Sequence, residues 1–292
     1  IARPLCRRMK IISGLRELAP NYGALICDIW GVVHNGREAY PGVVDTLRAF
    51  RKQGVVLLLS NAPRPSEPIH AQLASLGVPR DAYDTLITSG DLTRRVLARE
   101  APLKIHRVGP ERDAPLYEGL AIERVSMSEA EAIVCTGPFD DTKEGPDDYR
   151  DYWHEALARR LPFYCANPDL VVQRGDHMIY CAGALAAGYE RQGGKVIYLG
   201  KPHAPVYDFV TERLAELTHR TIPRSKWLAI GDGLKTDIKG ATAIGIDSLL
   251  ITGGIHEREL AHADGTPDPV KIAQVFAAQS LKSVAAMRRL LW

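Results

Sequence analysis

The chain has 292 residues, enough for one large domain or two moderate ones, and its 46% hydrophobic and 25% charged content is that of a soluble globular protein. A net charge of +2 gives no global reason to bind nucleic acid or a membrane surface, and no apolar run is long enough to span a bilayer. The opening IARPLCRRMK is basic but lacks an apolar signal core, so residues 1–8 are read as an extension outside the fold and the protein as cytoplasmic.

In chain order, Ala24-Leu25-Ile26-Cys27 starts a first strand, read over 24–30, with Asp28 inside its carboxyl end. VVDTLRAFRKQG follows with apolar residues at helical spacing and Gly54 as its stop. Further strands are expected over 55–61, 85–89, 104–108, 132–136, 163–166, 196–200, 227–231 and 248–252. Helices are expected over 66–76, 91–100, 144–160, 204–218 and 270–290. This alternation predicts an α/β protein with a parallel, doubly wound sheet and right-handed crossovers. Residues 138–150 are acidic and rich in turn formers, which suits a surface loop better than a metal site, because Asp140, Asp141, Asp147 and Asp148 have no ordered ligand spacing. The five cysteines, at positions 6, 27, 135, 165 and 181, form no CxxC pair and read as reduced thiols.

Four segments share one pattern: an apolar run, a polar residue, then a turn. They place Asp28, Ser60 with Asn61, Lys201 and Asp232 after strands, and Asp237 follows five residues beyond Asp232. In an open parallel sheet, ligands bind outside the carboxyl ends of the strands, so these residues converge if their strands are neighbours. Two carboxylates, Asp28 and Asp232, with a backbone carbonyl and waters suit Mg²⁺. A carboxylate can also attack phosphorus to give an aspartyl-phosphate. The hydroxyl and amide at 60–61 can hold phosphoryl oxygens, Lys201 can offset their charge, and Asp237 can order metal-bound waters.

The ordered set D-x-x-G-V-V from Asp28, S-N at Ser60, G-K-P around Lys201 and G-D-G-x-x-T-D around Asp232 resembles the haloacid dehalogenase superfamily of aspartate-nucleophile phosphatases. The closest likeness is to class IIA, the NagD-like, p-nitrophenylphosphatase and chronophin group. FYCANPDLVVQRG and CAGALAAGYERQGGKVIYLGKP, with the long interval between Ser60 and Lys201, carry that narrower resemblance. It implies a Rossmann-like core over 9–92 and 184–292 with an inserted α/β cap over 93–183. It further implies Asp28 as nucleophile and metal ligand, the Trp30 backbone carbonyl and Asp232 as metal ligands, and Asp237 in the outer shell. Ser60 and Asn61 would hold phosphate, Lys201 would neutralise charge, and Asn167 and Asp169 would face the substrate from the cap. The implied cofactor is Mg²⁺, and the implied substrate is a small phosphorylated metabolite such as a sugar phosphate, a nucleoside monophosphate or pyridoxal 5′-phosphate. Cap-to-cap homodimers belong to the same analogy.

One position departs from the pattern. Phosphatases of the superfamily carry an acid/base Asp two residues after the nucleophile, where this chain has Trp30, whose indole cannot titrate. Losing such a group costs about 10²–10⁴-fold in rate. His34, six residues after Asp28, titrates in a useful range and is placed either near the leaving group or as an ordinary loop or substrate contact. Three readings therefore stand: a phosphatase slowed or specialised by Trp30, a phosphate-ligand binding or regulatory protein, and a non-phosphatase hydrolase of the superfamily.

Overall fold

The computed structural model describes residues 9–174 and 177–292; the extension 1–8, with Cys6, lies outside the described residues. Thirteen strands are described: β1 (Ala24–Cys27), β2 (Val55–Ser60), β3 (Thr85–Thr88), β4 (Leu103–Val108), β5 (Ile122–Arg124), β6 (Ala132–Cys135), β7 (Phe163–Cys165), β8 (Val171–Arg174), β9 (His177–Tyr180), β10 (Val196–Tyr198), β11 (Trp227–Gly231), β12 (Asp247–Ile251) and β13 (Ala285–Met287). They fall into two compact units. Of the described residues, the first unit holds those up to Leu59, His70–Leu86 and Thr211–Trp292, and the second holds Ser60–Ile69 and Ile87–Val210.

The first sheet runs β13-β12-β11-β1-β2-β3. Strand β1 is buried at every residue, as a parallel strand covered on both faces must be, and pairs in parallel with β11 and with β2. From β1 the chain steps outward through β2 and β3, then returns to β11 on the opposite side of β1. The direction of travel thus reverses between β1 and β11, which opens a crevice at their carboxyl ends. Helix α1 (Val43–Arg51) buries Val43, Leu47 and Phe50, as its apolar spacing requires. Gly54 lies beyond the helix end; a Cβ there would meet the Phe50 ring at 2.5 Å, so close packing is what requires glycine.

The second unit is built on a parallel sheet of order β10-β7-β6-β4-β5, and β8 and β9 form a separate antiparallel pair. Its core gathers on Trp153, which is 1% exposed and packs against Tyr149, Phe163 and Tyr189 with ring centroids 5.4–5.7 Å apart. The parallel α/β class read from the sequence is the class found.

Two helices differ from expectation. The span 144–160 is not one helix: it divides into a 3₁₀ turn over Pro146–Tyr149 and a short helix over His154–Ala158. Tyr149 and Trp153 both enter the core, and the intervening turns bring both rings to it. The span 270–290 is helical only over Pro269–Gln279, capped by Asp268 and ended by Ser280 in a left-handed conformation. Ala285–Met287 becomes β13, because the edge of β12 offers backbone partners that outweigh the helical preference of Ala285-Ala286. The four cysteines among the described residues are buried and in no disulfide, and burial pushes Cys135, Cys165 and Cys181 above the usual thiol range. No helix among the described residues is long and apolar enough to cross a membrane. Truncating the central core ring, Trp153→Ala, is expected to lower unfolding free energy by about 3–5 kcal/mol, measured by denaturant titration, with Trp153→Phe costing clearly less.

Candidate active site

Asp28 follows β1 directly, and its backbone N–H donates to the Ile230 carbonyl at 2.8 Å, which continues the β1–β11 ladder by one residue. Asp232 follows β11 in the same way, so the two carboxylates stand side by side at the reversal point of the sheet. Asp237 joins them through a π-helical turn, Leu234–Ile238, whose wide pitch brings the chain back over the strand end. The carboxylate oxygens of Asp28, Asp232 and Asp237 lie within 4.8 Å of one another.

Glycines make this crowding possible. A Cβ on Gly31 would come within 2.0 Å of Asp232 Oδ2, and one on Gly254 within 1.9 Å of the same atom. Gly31 also has a φ of +81°, where a side chain is strained regardless of space. A Cβ on Gly231 would strike Asp237 at 2.2 Å. The Ile255 N–H donates to Asp232 Oδ2 at 2.8 Å, and Gly233 N–H to Asp237 Oδ2 at 3.2 Å. An all-oxygen set in a backbone cradle that admits no further side chain fits a hard divalent cation. The three carboxylates are those expected from the strand-end pattern; the Gly253-Gly254 turn after β12 is not among the expected site residues, although it repeats the same strand-then-glycine signal.

The loop after Asp28 is closed by Gly31 N–H to His34 O at 3.0 Å and by Val33 N–H to Ile29 O at 2.8 Å. Trp30 is 37% exposed, with its ring edge-on to His34 at 5.2 Å. A Cβ on Gly36 would lie 2.5 Å from the Trp30 ring, so the indole is seated against that glycine. His34 is buried, and its Nδ1 accepts from Gly36 N–H at 3.0 Å. Burial pushes its imidazole down to about 4, so the ring is neutral at physiological pH. Its role in this loop is that of a neutral acceptor.

The remaining predicted residues are described within the second unit. Ser60 ends β2, and its hydroxyl accepts from Ala62 N–H at 3.1 Å, an acceptor role that leaves the O–H as a donor. Asn61 is buried. Its Nδ2 donates to Asp169 Oδ1 at 2.9 Å and to the Lys201 carbonyl at 3.0 Å. Its Oδ1 accepts from Lys201 N–H at 2.8 Å and from Ser89 Oγ at 3.3 Å. The carboxamide is therefore saturated within the protein, and Asn61 acts by fixing Lys201 and Asp169. Asn167 is buried as well, with its Oδ1 accepting from Asp169 N–H at 3.1 Å. A Cβ on Gly183 would strike the Pro168 carbonyl at 2.3 Å, which explains the small residues opening the helix over Ala182–Arg191. His203 stacks on Tyr198 at 4.4 Å.

A parallel α/β sheet with an acidic, cation-fitting cluster at its reversal point defines a Rossmann-like protein with a candidate cation site at its strand ends. Comparison with known proteins gives the finer assignment. A haloacid dehalogenase-like hydrolase model matches residues 25–123, and a second model of that kind matches 198–278. A crystal structure of a haloacid dehalogenase-like family hydrolase from Brucella suis 1330 is 40% identical, with a TM-score of 0.84, covering 96% of this chain and 100% of that one. The ribonucleotide monophosphatase NagD of Escherichia coli K12 is 27% identical over 238 residues, 79% of this chain and 88% of NagD. Human chronophin is 24% identical over 283 residues, 88% of this chain and 90% of chronophin. The chain belongs to the haloacid dehalogenase-like hydrolase family, in its class IIA.

His34 sets a pH dependence of stability. Its native value of about 4 lies below the unfolded value near 6.5, so the unfolded chain takes up the proton first. The contribution is complete above pH 6.5 and is lost as pH falls from about 6.5 towards about 4. Unfolding midpoints measured across that window should fall with pH, and His34→Gln should flatten part of the slope.

Proposed function

We propose that this phosphoric monoester hydrolase moves a phosphoryl group from a small phosphorylated metabolite to Asp28 and then to water, with Mg²⁺ as its metal. The observation that carries the reading is the Asp28, Asp232 and Asp237 cluster at the strand ends. Asp28, Asp232 and the Trp30 backbone carbonyl would hold the ion, with Asp237 orienting its waters. When bound, Mg²⁺ supplies charge neutralisation and polarisation of the phosphoryl oxygens.

The rest falls to the protein. The Asp28 carboxylate attacks phosphorus, the ester P–O bond breaks, and an aspartyl-phosphate remains. The Ser60 hydroxyl donates to a phosphoryl oxygen, and Lys201, anchored through its backbone by Asn61, offsets the negative charge. Asn167 and Asp169 contact the substrate from a cap comprising residues 93–183. Sugar phosphates, nucleoside monophosphates and pyridoxal 5′-phosphate are the substrate classes considered, and NagD, named as a ribonucleotide monophosphatase, supports the second.

Residue 30 sets the pace. The Trp30 indole cannot titrate, and His34 is neutral with Nδ1 occupied by Gly36, so the loop after Asp28 offers no strong acid for the leaving oxygen. Leaving groups that depart as weakly basic anions are favoured, and hydrolysis of the aspartyl-phosphate becomes the slow step. The alternative, a phosphate-ligand binding protein with vestigial hydrolysis, draws on Trp30 alone.

Phosphate release across a metabolite panel tests this reading. Turnover should require Mg²⁺, vanish with chelator, and fall by about 10³-fold or more in Asp28→Asn. Rapid-quench kinetics should show a burst of phosphoenzyme in the wild type. Trp30→Asp should raise turnover of esters with basic leaving groups by about 10²-fold and shrink the burst. Turnover seen only in Trp30→Asp would favour the binding reading.

A further inference from the structure

Arg288 and Arg289 follow strand β13 directly, beside the turn that follows β12. The two segments are zipped together: Thr252 N–H donates to the Met287 carbonyl and Gly253 N–H to the Arg288 carbonyl, both at 2.9 Å. Arg289 then reaches over the turn, and its Nη1 donates to the Gly253 carbonyl. A Cβ on Gly253 would lie 2.6 Å from the Arg288 carbonyl and 2.9 Å from the Arg289 guanidinium carbon, so glycine is what lets the arginine lie on the turn. The following residues, Gly254 and Ile255, form the cradle of Asp232, by close packing at Gly254 and by the Ile255 N–H bond.

The same guanidinium has a second partner. Its central carbon sits 4.1 Å from the centre of the Tyr40 ring. Tyr40 N–H donates to the Val33 carbonyl at 2.9 Å, and Val33 N–H to the Ile29 carbonyl at 2.8 Å, so Tyr40 belongs to the loop that follows Asp28. Burial raises the Tyr40 phenol above its ordinary value, and the nearby Arg289 charge opposes that shift. One planar cation thus joins the turn beyond β12, which packs against Asp232, to the loop beyond β1, which follows Asp28. Arginine can stack on a ring and donate in its own plane at once; lysine cannot do both.

We propose that Arg289 is a positioning residue for the cation site, holding the Gly253-Gly254 turn so that Asp232 is presented to Mg²⁺. This rests on the metal-dependent reading above. A positioning role and a simple charge effect predict opposite signs. Removing a nearby positive charge alone would tighten cation binding, whereas loosening the cradle of a ligand weakens it, typically about 10–100-fold for a residue that supports a metal ligand.

The test titrates MgCl₂ alone into the metal-free protein by calorimetry, without substrate. Arg289→Met should weaken Mg²⁺ binding about 10-fold or more, with Arg289→Lys in between. The Mg²⁺ concentration for half-maximal turnover should shift in parallel, while kcat at saturating Mg²⁺ largely recovers. Arg288→Met is the control, because Arg288 pairs with Glu257 at 3.1 Å on the exposed surface, and its Mg²⁺ affinity should match the wild type. If Arg289→Met does not fold, Tyr40→Leu removes the ring beneath the guanidinium and should weaken Mg²⁺ severalfold. Unchanged or tighter binding in a folded Arg289→Met protein overturns the assignment. A wild type that binds no Mg²⁺ overturns the metal reading itself, so the two failures are distinguishable.

Discussion

Everything at this site depends on holding three carboxylates within 4.8 Å of one another. Like charges about 4 Å apart repel by roughly 4 kcal/mol per pair at an effective dielectric of about 20, so such a cluster opposes folding unless positive charge answers it. Part of the answer is local. Backbone N–H groups of Ile255 and Gly233 point at Asp232 and Asp237, and glycines let the backbone approach where any Cβ would collide. A divalent cation would supply further compensation, and the oxygen-only donor set suits one.

The location of the cluster follows from topology. A parallel sheet that grows from β1 in one direction and then restarts on its other side leaves its adjoining loops diverging at that point. Asp28 and Asp232 lie one residue beyond the two strands that meet there. Each is set by a rigid, fully buried strand, so its direction is fixed by the ladder and not by a mobile loop.

Trp30, two residues after Asp28, is accommodated structurally by its own loop. Gly36 leaves room for the indole, and His34 supports it edge-on while its own ring nitrogen closes the turn. Trp30 and His34 therefore form one packed unit. The imidazole, attractive as a proton carrier from its place in the chain, is buried and held neutral.

The apolar runs that become β1, β2 and β11, and the polar residues that end them, were legible because a buried parallel strand needs continuous apolar residues and because strand-end chemistry has a fixed grammar. The fold class and the three clustered carboxylates followed from that order along the chain. Other features were decided only in three dimensions. Ala285-Ala286 reads as helix locally, yet joins the sheet because the edge of β12 offers backbone partners. Burial took His34 out of the physiological titration range, and no spacing rule reports burial depth. Asn61 reads as a phosphate contact, yet its amide is spent on Lys201 and Asp169, partners more than 100 residues away in the chain. The sequence by itself determined which residues stand at strand ends, since that depends on local pattern. Tertiary structure alone decided which of them meet and what charge each carries, since contact and desolvation arise only when distant segments pack.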